Sequence, residues 1–163
     1  MDLIIEHLSK RFADKVVLRD ICFTFTEGRI YGLLGRNGAG KTTVFNLLTG
    51  VYQPTTGSFS LDGENLTGKT PVEINKKGIA RTFQNIRLFH SMTVFENVLT
   101  AMHVRRTSNV FSAVFRINHK EETDMREKST ALLKSIGLEQ LQNMPASSLS
   151  YGKQRQLEIV RAL

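Results

Sequence analysis

The sequence predicts an α/β fold, with a helical insertion following a strand-rich start. Three observations point there. Strand-like alternation fills the first third of the chain; a short, wholly apolar run then leads through a glycine-rich loop into a helix; helical periodicities dominate the remainder. The chain has 163 residues, with 22 Lys+Arg against 15 Asp+Glu and a formal net charge of +7. That length suits one domain able to bury about 70% of its unfolded surface, so no metal or disulfide staple is required. At 40% hydrophobic and 23% charged residues, the composition lies away from disordered and collagen-like chains.

The single cysteine, Cys22, excludes an internal disulfide and a cysteine-based metal cluster, and points to the cytoplasm. No apolar run approaches the roughly 20 residues of a membrane-spanning helix. Arg11, Asp14 and Lys15 come too early for a secretory signal. Any membrane role therefore comes from docking to something else. The excess positive charge suits an anionic partner, whether nucleic acid, acidic lipid or nucleotide, and equally a plain solvated surface.

Each element follows in order. Leu3-Ile4-Ile5 opens a strand, and Val16-Val17-Leu18 begins a second in which Ile21, Phe23 and Phe25 recur at period two. After a turn at Thr26-Glu27-Gly28, the run Ile30-Tyr31-Gly32-Leu33-Leu34 has the pattern of a strand buried on both faces. The helix that follows the glycine loop ends at Gly50. Residues 58–61 form a short strand closing at the hairpin signal Asp62-Gly63. Thr70-Pro71 starts a short helix that Gly78 ends, and residues 79–83 are expected to be a strand. Thr93 to Glu96 fits a capping box for a helix running to about Val104. Residues 105–119 form a loop or a short helix. Residues 120–136 are a charged helix with Met125, Leu132, Leu133 and Ile136 on its apolar face and Gly137 as its stop, and residues 150–163 open a last helix.

The chemistry concentrates in Gly35-Arg36-Asn37-Gly38-Ala39-Gly40-Lys41-Thr42, which matches the phosphate-binding pattern G-x-x-x-x-G-K-[ST]. Gly35, Gly38 and Gly40 permit backbone conformations that a β-carbon obstructs, so successive amides can turn inward as a nest for phosphate oxygens. The next helix aims its positive end at the same anion. Lys41 is expected to reach the β- and γ-phosphates, Thr42 to ligate Mg²⁺, and Thr43 to bond the α-phosphate. Nucleotide binding by residues 35–43 follows, with ATP and Mg²⁺ as ligands, but a P-loop alone does not name a reaction.

Two further segments narrow it. Leu149-Ser150-Tyr151-Gly152-Lys153-Gln154-Arg155-Gln156-Leu157-Glu158 resembles the signature motif of ABC-type ATPases, and Arg81-Thr82-Phe83-Gln84 resembles their Q-loop, in the expected order after the P-loop. The resemblance spans essentially the whole chain. It implies a P-loop NTPase of ABC type: an N-terminal antiparallel β-subdomain with the P-loop core (about 1–84), then a helical subdomain with the signature helix (about 85–163).

The resemblance further implies two ATP-binding subunits facing head to tail, with ATP between one P-loop and the other subunit's signature. In that arrangement Ser150 contacts the γ-phosphate, Gly152 allows close backbone approach, and Gln84 touches Mg²⁺ and the surroundings of the attacking water and senses the membrane subunit. Phe12, after Lys10-Arg11, matches the aromatic that stacks on adenine; core filling is the other reading of that residue. Lys41 and Gln84 are thus the expected catalytic residues, Thr42 and Gln84 the metal ligands.

Phe83-Gln84-Asn85-Ile86-Arg87-Leu88-Phe89, Met92-Thr93-Val94-Phe95-Glu96-Asn97-Val98 and the tyrosine of Leu149-Ser150-Tyr151-Gly152 resemble the subunits that energise branched-chain amino acid uptake. So does the partly basic segment 104–120. Relatives importing urea or short amides share these features. A soluble ABC ATPase of translation or DNA repair is the rival reading, but no basic-aromatic stretch speaks for nucleic acid. The importer reading implies transmembrane permease subunits as partners and a peripheral place on the cytoplasmic face of the inner membrane.

Tyr151 and Lys153 depart from the commoner glycine and glutamine; Lys153 either helps to anchor the γ-phosphate or faces solvent. The family's later aspartate, catalytic glutamate and switch histidine are not among these residues. Glu158 lies within the signature helix, and His90, His103 and His119 are expected on the surface. The C-terminal part of the core is therefore expected to be missing, leaving a chain that binds nucleotide weakly, turns over no ATP alone and exposes apolar surface on its P-loop strand.

Overall fold

The fold was described from a computed structural model, in which residues 1–102 and 119–162 are placed. They belong to two compact units, Met1–Ile79 and Ala80–Leu163.

The first unit is an antiparallel sheet carrying one main helix. Strands β1 (Asp2–Phe12) and β2 (Lys15–Thr26) form a hairpin whose register runs from Asp2 opposite Thr26 to Phe12 opposite Lys15. Strand β3 (Thr56–Leu61) pairs with the other side of β1, and the short β4 (Glu64–Asn65) completes the order β2-β1-β3-β4. The β3–β4 turn is at Asp62-Gly63, with φ of 49° and 80°, the two left-handed residues that a tight hairpin of right-twisted strands demands. Helix α1 (Lys41–Leu48) lays Val44, Leu47 and Leu48 into a core with Ile5, Leu8, Leu18, Phe59, Leu66 and Ile74. Burying each such side chain contributes about 1.5–3 kcal/mol.

Helix α2 (Pro71–Lys76) starts as the sequence predicts. The Thr70 hydroxyl accepts from the Glu73 amide, the Glu73 carboxylate accepts from the Thr70 amide at 2.8 Å, and proline sits in the first turn. Ile74 is its buried residue.

The second unit is helical. Helices α3 (Val94–Met102), α4 (His119–Ser135) and α5 (Tyr151–Ala162) enclose Leu88, Val94, Val98, Leu133, Leu138, Ala146, Leu149, Leu157 and Val160. The Thr93 box is present: the Thr93 amide donates to Glu96 at 2.8 Å and the Glu96 amide to Thr93 Oγ1 at 3.1 Å. Met125 and Leu133 are buried on α4, and Leu132 and Ile136 are packed against the same core. Gly50, Gly78 and Gly137, expected as helix stops, have positive φ of 71°, 105° and 69°. His90 is exposed. The expected end of α3 near Val104, the loop or short helix at 105–119, His103 and the side chain of His119 lie outside the described residues.

Two expected strands are not strands. Residues 30–34 run irregularly, with Ile30 and Leu34 at 103% and 92% relative exposure. A strand apolar on both faces needs ladder partners on each side, and the described sheet ends on β2 and β4 without including this segment. Residues 79–83 are also irregular. There the Phe83 carbonyl accepts from the Arg155 guanidinium, and the Phe83 ring lies 4.8 Å from Arg81 and 4.5 Å from Arg87. Among the described residues no strand pairs with this segment, so it lacks the ladder that a strand needs.

Candidate nucleotide-binding site

The sequence-predicted residues are brought into two groups, one in each unit. In the first unit the glycine loop, residues 35–40, precedes α1 as an exposed turn, and Gly40 alone in it is buried. Gly38 and Gly40 stand at φ 84° and 89°. Gly40 is the N-cap of α1, and its carbonyl accepts the Val44 amide at 3.0 Å. The Ala39 amide turns back to the Arg36 carbonyl at 3.1 Å. A β-carbon on Gly40 would lie 2.7 Å from Leu18 Cδ2 and 3.2 Å from the Val17 carbonyl oxygen, so β2 sets how closely the loop can approach it.

Lys41 curls over this loop. Its ammonium donates to the Gly35 carbonyl at 2.6 Å and to the Arg36 carbonyl at 2.9 Å. The cation is thus held at the start of a helix, where unpaired amides and the helix dipole already favour an anion. Thr42 is exposed and Thr43 half-buried on the first turn, and Arg36 and Asn37 project from the exposed loop. The hydroxyl of Thr42 is a hard oxygen donor, the type that Mg²⁺ takes.

Phe12 lies at the end of β1, 39% exposed, which excludes simple core filling. Its ring meets Tyr52 edge-on at 5.2 Å, and the Lys10 ammonium sits 4.9 Å over it. Lys10 also donates to the Gln53 carbonyl at 2.6 Å, and the Tyr52 amide donates to the Asn46 carbonyl at 3.0 Å, tying the end of β1 to the segment after α1.

The second group lies on and around α5. Ser150 directly precedes the helix, and its carbonyl accepts the Gln154 amide at 2.9 Å. Gln154 Nε2 donates to the Leu149 carbonyl at 3.0 Å, fixing the entry to the turn. Tyr151, Gly152 and Lys153 are exposed. Gln84 is exposed in a segment anchored at both flanks. On one side Arg155 binds the Phe83 carbonyl; on the other, Glu158 accepts the Arg87 amide at 3.4 Å and Arg161 donates to the Arg87 carbonyl. Glu158 is only 5% exposed and pairs with Arg155 at 2.5 Å. Burial lowers the Arg161 guanidinium from its ordinary range, and Glu158 opposes that shift.

The sequence motif places Glu158 within the signature helix and assigns no role to Arg155 or Arg161. The available signal was helical spacing: Gln154, Leu157, Glu158 and Arg161 share one face of α5, so two charges fall beside a core leucine.

Comparison with known proteins places this geometry in a family. Residues 18–163 match the family model described as ABC transporter. The chain is 40% identical over 158 residues to BraF, the high-affinity branched-chain amino acid transport ATP-binding protein of Pseudomonas aeruginosa, covering 96% of this chain and 62% of that protein. It is 39% identical over 163 residues to LivG of Salmonella typhimurium, a protein of the same description, covering 99% of this chain and 64% of LivG. The chain thus spans less than two thirds of the length of these relatives. Among solved structures it resembles the ADP conformation of an ATP-binding cassette of an ABC transporter, with a TM-score of 0.82, 30% identity, and coverage of 100% of this chain and 65% of that one. A nucleotide-free cassette gives a TM-score of 0.80 at 30% identity, with coverage of 100% and 65%.

Proposed function

Because the chain belongs to the ABC transporter family, we propose that it is the ATP-binding and ATP-hydrolysing part of an importer motor, and that the cargo is a branched-chain amino acid. The observation that carries the nucleotide reading is the Lys41 ammonium held over the glycine-loop carbonyls at the start of α1. The cargo reading rests on the printed roles of BraF and LivG.

In this reading the backbone amides of residues 35–40 and the α1 dipole bind the triphosphate, and Lys41 leaves the carbonyls of Gly35 and Arg36 for the β- and γ-phosphates. Thr43 bonds the α-phosphate, and the half-exposed Phe12 stacks on adenine. Mg²⁺ would be held by the Thr42 hydroxyl, where it would neutralise phosphate charge, and Gln84 is a further catalytic residue of the motor. Ser150 and Gly152, at the start of α5, face the γ-phosphate held by a second ATP-binding subunit. Positioning and charge neutralisation do the chemical work.

Glu158, buried and engaged by Arg155 and by the Arg87 amide, does not serve as a general base. In this reading the 163 residues by themselves hold nucleotide weakly and do not turn it over. Among the described residues no helix is long and apolar enough to cross a membrane. Attachment to the cytoplasmic face of the membrane comes through permease subunits.

Calorimetry with ATP and magnesium tests the reading. A unit-charge pair about 4 Å apart contributes about 4 kcal/mol at an effective dielectric of 20. Lys41→Ala should therefore lose measurable binding. Equal affinity in the variant and the parent refutes the site. For the whole assembly, leucine-stimulated ATP turnover supports the cargo, and stimulation by urea or short amides alone refutes it.

A further inference from the structure

We infer that Arg155, Glu158 and Arg161 act as positioning residues that clamp the segment carrying Gln84 onto the signature helix; the inference rests on the reading of Gln84 given above. Three contacts bracket residues 84–86. Arg155 binds the carbonyl of Phe83, Glu158 accepts the amide of Arg87, and Arg161 binds the carbonyl of Arg87. They span 71 to 74 positions of sequence, so they specify tertiary placement rather than local turn geometry.

The chemistry favours a device over an accident. A carboxylate at 5% exposure is costly unless paired and hydrogen-bonded, and Glu158 has both an ion pair and a backbone amide. The Phe83 ring lies against Arg81 and Arg87 at 4.8 and 4.5 Å, and Arg161 stands 5.0 Å over the ring of Phe89. The polypeptide entering and leaving residues 84–86 is thus gripped through backbone atoms, while Gln84 itself points outward, exposed. A shift of α5, the helix that begins at the signature, moves residues 83 and 87 with it. Gln84 is then positioned by the state of the signature helix in the same chain.

The chain has no tryptophan, so Gln84→Trp makes a single fluorescent reporter of the segment. In that background Glu158→Leu, Glu158→Gln and Arg155→Ala should lower the reporter's anisotropy toward its value in urea, while Lys128→Ala on α4 leaves it unchanged. Unchanged anisotropy in Glu158→Leu overturns the clamp. Hydrogen exchange on the unaltered chain gives an answer independent of how the variants fold: the Arg87 amide should be protected like those of α5, and exchange at the unprotected rate also overturns it.

In the complete transporter, Glu158→Leu should lower kcat about 10- to 100-fold, the scale of a 1 Å misplacement. KM for ATP should stay near the parent value, and Glu158→Asp should restore part of the loss. A change confined to KM refutes positioning. Normal turnover in Gln84→Ala would instead remove the catalytic reading of Gln84, leaving the anisotropy and exchange results to stand on their own.

Discussion

Gly40→Ala is the sharpest test of how the nucleotide loop is built. Gly40 caps α1 at φ 89°, a conformation that costs a residue with a β-carbon about 1–2 kcal/mol. The added methyl would also come within 2.7 Å of Leu18 Cδ2 and 3.2 Å of the Val17 carbonyl. Leu18 is 5% exposed and has little room to retreat, and overpacking of this kind costs about 1–3 kcal/mol. Gly38→Ala is the matched control: its φ is 84°, and nothing lies within 4 Å of the new carbon. The two variants share the backbone penalty and differ only in the clash. Urea unfolding should therefore place Gly40→Ala below Gly38→Ala by about 1–3 kcal/mol. With a slope of about 1–3 kcal/mol per molar, that is a midpoint difference of about 1 M. Leu18→Ala costs stability by itself but removes the obstructing methyl, so the double variant should be more stable than the sum of the single effects implies. Equal midpoints for the two glycine variants, together with strict additivity in the cycle, would refute the close packing of the loop on β2.

Asn97 is fully buried; its Oδ1 accepts the Phe89 amide at 3.0 Å, and its Nδ2 donates to the Phe89 and Thr93 carbonyls at 3.0 Å each. Asn97→Leu strands the Phe89 peptide and should cost about 2–4 kcal/mol, measured by chemical denaturation; an unchanged midpoint would show that those bonds are not formed in solution. Hydrogen bonds from Thr70 and Thr93 hold the carboxyls of Glu73 and Glu96 below the usual carboxylate range. Their stabilisation is present above the unfolded value near 4.5 and is lost as pH falls through the lower folded values. Glu73→Gln/Glu96→Gln should flatten the acid limb of a pH–stability curve, and an unaltered slope would exclude the caps as its source. Phe12→Ala should weaken ATP binding by about 1–3 kcal/mol, the scale of aromatic–base stacking, with Phe12→Tyr retaining it; no change by calorimetry returns Phe12 to a purely local role beside Tyr52.

What was legible in the sequence is what a few neighbouring residues decide among themselves. Thr70 with Glu73 and Thr93 with Glu96 complete their caps within one turn, and Asp62-Gly63 supplies both left-handed residues of its own hairpin. The glycine loop belongs to the same class, since Lys41 reaches the Gly35 and Arg36 carbonyls of its own loop. Residues 30–34 and 79–83 misled because a strand is a relation between segments. Apolar composition states what a partner would cover without supplying one, and among the described residues no strand pairs with either segment.

The same distinction explains why the sequence singles out Gln84 and not the residues that hold its flanks. Motif order marks the glutamine, whereas Arg155 and Glu158 contact its flanks across more than 70 positions. The sequence nevertheless carried a physical trace of that contact. A glutamate at helical spacing beside Leu157 and Val160 is destined for burial, and a buried carboxylate persists only where a cation and hydrogen-bond donors meet it. Arg155 alone, at i−3 and partly exposed, satisfies one side of Glu158. The unmet oxygen calls for a donor from another segment, and the Arg87 amide, three residues beyond Gln84, is the one that answers.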